Sequence, residues 1–361
     1  MRIVVTGATG NVGTSVVAAL GADDRVDRID GLARRAPDLV LPKTRWIAAD
    51  VTSADLTGLF RGADAVIHLA WLIQPARRIE RLEHVNVGGT RRVLEAVVAA
   101  GVPALVYASS VGAYGPGPKE PVDESWPTTG IDSNYYSRQK AVVEGMLDDL
   151  EAAHPRLRVV RLRKALVFKR EAASGIARLF TGTGPWLRLA RPGRIPFLPA
   201  HPRLIVQAVH SLDAGEAYRL AALQTVRGAF NIAGTPILDR DTLAHTLSAR
   251  PVRVSARVLR SAVGAAWRLR LQPTHPSWVD LGLGVPLMDT ARARGVLGWF
   301  PRFTAVEALL ELLDGLRLGD GIATPPLRPA GGRLIEPRPV EPAPSLPPST
   351  ALNATGDPAL R

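Results

Sequence analysis

Residues 3–13, Ile3-Val4-Val5-Thr6-Gly7-Ala8-Thr9-Gly10-Asn11-Val12-Gly13, decide the fold. The apolar triplet reads as a strand and the glycines as a turn, and Val12, Val16, Val17 and Leu20 follow at helical spacing. A strand that ends in glycines and feeds a helix offers free backbone N–H groups and the positive end of the helix dipole. Both suit a pyrophosphate. The spacing Gly7-x2-Gly10-x2-Gly13 is one residue off the usual GxGxxG fingerprint. The physical roles survive the change: one glycine makes the tight turn, one lets a phosphate approach the backbone, and one lets the helix pack close to the sheet.

The run Thr-Gly-Ala-Thr-Gly-Asn-Val-Gly near an N-terminus resembles the cofactor loop of the extended short-chain dehydrogenase/reductase superfamily, which includes the NAD-dependent epimerases and dehydratases. The resemblance implies an α/β fold, a Rossmann-type doubly wound parallel sheet with a smaller C-terminal substrate lobe. It also implies NAD or NADP as cofactor and a homodimer. Its cofactor contacts fall on Gly7, Thr9, Gly10, Asn11, Val12, Gly13, Asp50, Val51, Leu69 and Ala70.

Working outward, Arg28-Ile29-Asp30-Gly31-Leu32-Ala33 reads as the second strand. In dinucleotide folds a carboxylate at the end of this strand takes the ribose 2′-OH of NAD, and an arginine pairs with the 2′-phosphate of NADP. Ala33 holds the carboxylate position and Arg34 and Arg35 follow it, whereas Asp30 lies three residues early. The reading is NADP preferred, with NAD as the alternative. Residues 46–49 form a third strand ending at Asp50-Val51, and residues 65–70 form a fourth, continuously apolar strand that carries His68 as a core residue.

The chemistry rests on a fifth strand, residues 104–108, ending in Ser109-Ser110, and on Tyr135-Tyr136-Ser137-Arg138-Gln139-Lys140, which opens a helix running to about Ala153. Tyr136 and Lys140 are four apart and share a helical face. Hydride transfer at an alcohol carbon needs a proton exchanged on its oxygen, and a phenol of pKa about 10 serves only when lowered towards the working pH. The resemblance gives these roles to Tyr136 and Lys140, with Ser110 holding the substrate oxygen and Asn86 ordering a proton relay. Tyr135 lacks a lysine four residues on.

Beyond residue 163 the likeness thins. Lys164 follows Arg163 where the family turns through an Arg-Pro step, and Val206-Gln207 replace an Arg-Asp pair that holds a nucleotide-sugar phosphate, although His210 and Asp213 are kept. The expected organisation is a dinucleotide domain over 1–163 that also receives strands from about 205–233, a substrate lobe mainly over 164–318, and a disordered proline-rich tail over 319–361. Residues 257–271 read as a packed helix with a wet face, and Thr304-x2-Glu307 as a capping box opening a last helix to about Leu318.

Composition narrows the partners. With 46% hydrophobic residues in 361 the chain buries a large core. The absence of cysteine excludes a disulfide scaffold and a thiolate metal site and fits a reducing, cytoplasmic setting; no metal is expected. The first twenty residues, apolar as they are, carry the phosphate loop and read as structure, not as a leader. No apolar run reaches the length of a membrane span, so no membrane association is expected. The net charge is +12, but only five of 45 basic residues are lysine and the arginines are scattered in singles and pairs, without aromatic interleaving. Nucleic acid is therefore not the expected partner. The reading is an NAD(P)-dependent oxidoreductase acting on a small carbonyl or alcohol. An NAD-dependent epimerase with the same residues, and a non-catalytic NADP-sensing protein, stand as alternatives.

Overall fold

The computed structural model describes residues 1–338 apart from Pro75, Ala330 and Gly331. Five consecutive parallel strands, β1 (Arg2–Thr6), β2 (Arg28–Ala33), β3 (Thr44–Ala48), β4 (Ala65–His68) and β5 (Ala104–Tyr107), are joined by Arg158–Lys164 and Gly228–Ile232 in one seven-stranded sheet. From one edge to the other the order is β3, β2, β1, β4, β5, 158–164, 228–232, and every pairing is parallel. The order reverses beside β1, which is the crevice where this architecture binds ligands.

The apolar strands are explained by burial on both faces. Ile3 and Val5 pack with Val16, Val17, Leu20, Ile67, Val106, Phe230 and Trp299 on one side of the sheet. Val4 points the other way, among Leu32, Phe60, Val66, Val97, Leu105 and Leu147. Asp30 is fully buried in mid-β2 and pairs with Arg2, Arg28 and Arg45, so its carboxylate braces the opposite end of the sheet from the glycine turn.

Of the expected late strands, Gly228–Ile232 enters the main sheet, but Ala208–His210 pairs instead with Leu166–Phe168 in a separate two-stranded ribbon. A further parallel pair joins Phe197–Ala200 to Arg250–Arg253. The helix Ala305–Leu318 begins with the Thr304–Glu307 capping box and stops at Gly319 in the left-handed region (φ 67°).

The tail expectation needs correction. Residues 319–338, where described, are docked on the body: Ile322 and Leu327 are buried against Ala172, and the buried Asp320 pairs with Arg170 and Arg333. Two apolar anchors and a buried carboxylate offset the ordering of a segment whose proline content reads as disorder. The remaining residues, 339–361, lie outside the described structure.

Candidate active site

Gly7 ends β1 with φ 71°, and a Cβ there would stand 2.7 Å from the Ala70 nitrogen and 2.8 Å from the Leu69 carbonyl carbon. The glycine thus lets the end of β4 close over the turn. A Cβ on Gly13 would meet the Gly7 carbonyl at 2.3 Å, so this residue sets how near helix α1 (Asn11–Gly21) comes to the strand. Gly10 faces open space, with nothing nearer than 3.4 Å, and caps α1 with no side-chain hydrogen bond. The first N–H groups of α1 are therefore left for an anion. Asn11 donates to the Val167 carbonyl (2.8 Å) while its buried Oδ1 has no partner, and Thr9 is buried and Val12 half-buried beside it. An uncapped helix and an open glycine fit a dinucleotide's pyrophosphate, while the orphaned Asn11 Oδ1, an acceptor, is left for a ligand hydroxyl or N–H.

Arg34 and Arg35 are exposed at the end of β2. Asp50 accepts from the Thr52 amide and hydroxyl (2.9 and 2.7 Å); burial pushes its pKa up, but these bonds and the nearby Arg34 charge leave it below the ordinary value. Val51 is buried next to Gly89. The neighbouring helix-cap role belongs to Asp55, which accepts from the Gly58 amide (3.0 Å).

The paired serines and tyrosines divide cleanly. Ser109 turns into the core and donates to Glu144, whose carboxylate also holds Arg161 (3.1 Å) and Arg163 (3.0 Å). Ser110 faces the cleft, and its Oγ accepts from the Gly112 amide (3.0 Å). Tyr135 is anchored, donating to the Ile73 carbonyl (3.0 Å) and accepting from Trp278 Nε1 (3.3 Å). Tyr136 lies against Gly112, where a Cβ would stand 2.9 Å from its ring, and is hydrogen bonded to Ser110. Burial pushes the Tyr136 phenol up to about 12, with the Ser110 bond pulling it down.

Lys140 is buried one turn further along the helix Tyr135–Ala153. Its ammonium donates to the Tyr107 hydroxyl (3.0 Å) and the Ala108 carbonyl (2.7 Å) and sits 3.4 Å from the centre of the Trp71 ring. It is 5.9 Å from the centre of the Tyr136 ring. Burial, helped by the Lys164 charge, lowers its pKa well below the ordinary lysine value. Asn86, in a π-turn over His84–Gly88, clamps the loop after β4: it accepts from the Leu72 amide (2.7 Å) and donates to the Leu72 carbonyl (2.8 Å) and Gln139 (2.9 Å). His68 is bonded to Thr6 (2.7 Å) and Thr90 (3.0 Å), and burial first, then the Lys140 charge, lowers it to about 3, so it stays neutral in the core.

Four residues that motif reading did not single out line this site. Trp71 stands edge-on to Tyr136 (6.0 Å) with its indole nitrogen buried and unpartnered. Trp278 lies 5.2 Å from the Tyr136 ring, and Phe180 packs edge-on to Trp278 at 5.1 Å. Lys164, noted in the sequence only as a departure from proline, donates to the Ser109 carbonyl (2.8 Å) and is lowered by burial to about 8. In the substrate lobe, Gln207 spends both ends of its amide on the Met288 backbone, and Val206 bridges to Leu238. The retained His210 and Asp213 cap and brace: His210 accepts from the Leu212 amide (3.2 Å) and Asp213 from the Phe303 amide (3.0 Å).

Comparison with known proteins adds four observations. The profile of the NAD dependent epimerase/dehydratase family matches residues 3–175. An uncharacterised protein of Mycobacterium tuberculosis is 30% identical over 321 residues, which is 88% of this chain but only 30% of that protein's length. A UDP-glucose 4-epimerase of Mycolicibacterium smegmatis is 28% identical over 337 residues, 88% of this chain and 99% of the enzyme. Among solved structures, a UDP-glucose 4-epimerase from Stenotrophomonas maltophila with bound NAD superposes with a TM-score of 0.67 at 21% identity, over 88% of this chain and 98% of that one. At that identity the likeness speaks for the fold alone. Among the described residues no helix is long and apolar enough to cross a membrane, and no cluster of metal ligands is found.

Proposed function

We propose, from the match of residues 3–175 to the NAD dependent epimerase/dehydratase family, that the chain is an NADP-preferring oxidoreductase working between a carbonyl and an alcohol. The carrying observation is Tyr136, set between Ser110 and an apolar wall with Lys140 one turn behind it. When bound, the nicotinamide supplies or accepts the hydride. Ser110, fixed by the Gly112 amide, retains its own proton to donate to the substrate oxygen. Tyr136 exchanges the proton with that oxygen. A phenol at about 12 is a poor base near neutrality, and a cation brought near it in a dry site has strong leverage. Lys140, one turn behind with its Nζ 5.9 Å from the centre of the Tyr136 ring, is the cation placed to exert it.

Arg34 and Arg35 support the NADP preference: both are exposed, no carboxylate is paired with either among the described residues, and Ala33 offers none for a 2′-OH. Trp71, Tyr135, Trp278 and Phe180 build an apolar wall, and Val206 stands where the arginine that holds a sugar-nucleotide phosphate would be, so an apolar carbonyl compound fits better. Epimerisation with retained NAD is the second reading, favoured by the full-length likeness to a UDP-glucose 4-epimerase. The same reading carries a homodimer through the outer faces of helices Gly89–Ala99 and Tyr135–Ala153, where Val98 and Val142 are exposed. A decisive test is the cofactor content of the purified protein, followed by titration with NADPH and NADH and a carbonyl panel. Release of cofactor and tighter NADPH binding support the proposal; tightly retained NAD with no net oxidation supports the epimerase.

A further inference from the structure

Two segments distant in the chain, 184–204 and 248–273, together hold ten arginines and no aspartate, glutamate or lysine. Ten of the chain's twelve net positive charges therefore come from 47 residues. What reads along the sequence as scattered arginine is gathered by the fold. Phe197–Ala200 pairs in parallel with Arg250–Arg253, Phe197 opposite Arg250 and Pro199 opposite Val252. The Gly193 amide donates to the Leu247 carbonyl (2.9 Å). At the other end one cleft is lined jointly by Trp186, Trp267, Arg270 and Leu271.

The same surface carries apolar side chains that face solvent. Trp186, Leu189, Phe197, Val252, Val258, Leu269 and Leu271 are 42–70% exposed, seven of the fifteen exposed large hydrophobic residues among those described. The helix Ala256–Arg268 packs one face, with Leu259, Val263, Ala266 and Trp267 half-buried and Gly264 buried, and leaves the other in solvent, which is the packed helix with a wet face that the sequence pattern predicts. Among the described residues Arg260 alone of the ten arginines has a carboxylate partner, Asp280 (2.9 Å). Single exposed hydrophobics need no explanation, whereas seven of them on two segments that pair as strands and share a cleft do.

We infer that this face docks onto the surface of an anionic lipid bilayer. Guanidinium groups meet anionic head groups there, while tryptophan, phenylalanine and leucine enter the acyl boundary and the arginine stems lie along it. A second copy of the chain would bring ten like charges against ten. A nucleic acid would satisfy the arginines but leave the leucine and valine side chains in water. The patch adjoins the aromatic wall of the active site: Thr274 donates to the Phe180 carbonyl (2.6 Å), and Phe180 packs on Trp278.

The test uses the full chain and sedimentation with large unilamellar vesicles of phosphatidylglycerol and phosphatidylcholine. The partition coefficient on vesicles with 30% phosphatidylglycerol should exceed that on pure phosphatidylcholine by at least roughly tenfold and collapse as NaCl rises from about 0.1 to 0.5 M. Leu269→Ser with Leu271→Ser, and separately Arg257→Glu with Arg268→Glu, should each lower it about tenfold with an unchanged Tm, because all four side chains are exposed. Brominated lipid should quench part of the fluorescence, and Trp186→Phe should remove that part. Equal binding to neutral and anionic vesicles, or none to either, overturns the inference. So does loss on charge reversal with no effect of the serine pair, or displacement from vesicles by duplex DNA at equimolar charge.

Discussion

The half built on the seven-stranded sheet and the lobe made mainly of residues 164–318 are built by different rules. In the first, β1 from Ile3 onward and all of β4 are buried, and three glycines sit where added Cβ atoms would strike backbone or close off an open approach. In the second, strands come in isolated pairs of two to four residues, and the helix Ala256–Arg268 fully buries only Gly264. Binding a phosphate chain is done by backbone, which tolerates almost no variation. Binding a substrate or a surface is done by side chains, which can be exchanged one at a time.

Tyr136→Phe tests the contrast most sharply. Removing one oxygen should lower turnover by about 10²- to 10⁴-fold while leaving cofactor affinity within about twofold. Tyr135→Phe should instead cost stability, about 1 kcal/mol, through its bonds to Ile73 and Trp278, with turnover largely kept. Single-turnover hydride transfer and thermal melts distinguish the two, and a dead Tyr135→Phe enzyme would reverse the assignment. Gly13→Ala comes next: with its methyl 2.3 Å from the Gly7 carbonyl, it should cost about 1–3 kcal/mol and more than tenfold in dinucleotide affinity, read by denaturant titration and fluorescence. If it melts and binds as wild type, the close helix approach is not what the glycine provides.

Which parts were legible follows from the same contrast. Gly7, Gly10, Gly13, Ser110, Tyr136 and Lys140 announce themselves because backbone geometry and proton chemistry each admit few residue types at fixed spacing. Trp71, Trp278 and Lys164 do not, since they come from three separate segments and meet only in the folded chain. The tail misled for a related reason. Its prolines set the composition, but Ile322 and Leu327, two residues without periodicity, decide that it docks. Likewise the arginines at 188, 191, 194 and 250–270 read as scatter until the strand pair brings them together.

Deleting 319–361 should therefore lower Tm by roughly 3–5 °C, a net loss of about 2 kcal/mol, whereas deleting 339–361 should leave it within about 1 °C. Scanning calorimetry of both truncations decides it. A Lys164→Met variant probes the floor of the site through pH. Lys164 titrates at about 8 in the folded chain and near 10.5 when unfolded, so the unfolded state holds more protons between those values and stability rises with pH across that window. The variant should lose that rise, at most about 1.4 kcal/mol per pH unit, in urea titrations at pH 7.5 and 9.5. Parallel curves for both proteins would show that the lysine is solvated. The smallest effect expected is that of Arg34→Ala, which should weaken NADPH binding about tenfold, roughly 1.4 kcal/mol, and leave NADH alone; an equal loss for both cofactors would remove the arginine from the 2′ position.

The packing of α1 carries a consequence for how the chain is made. Ser15 is bonded to Ser211 (2.9 Å), and a Cβ on Gly215 would stand 2.6 Å from the Ser15 carbonyl, so the helix Ser211–Leu223 is seated directly on α1. As the nascent chain leaves the ribosome, five neighbouring strands are present by residue 107, yet the flank of α1 stays bare for another hundred residues. The strand Arg158–Lys164 likewise waits for Gly228–Ile232 to cover its edge. A fragment ending at residue 175, where the family likeness ends, would emerge with an open strand and an uncovered helix, and would be prone to associate before it could bind anything. Translation must run some fifty residues past the recognisable half before that half is finished.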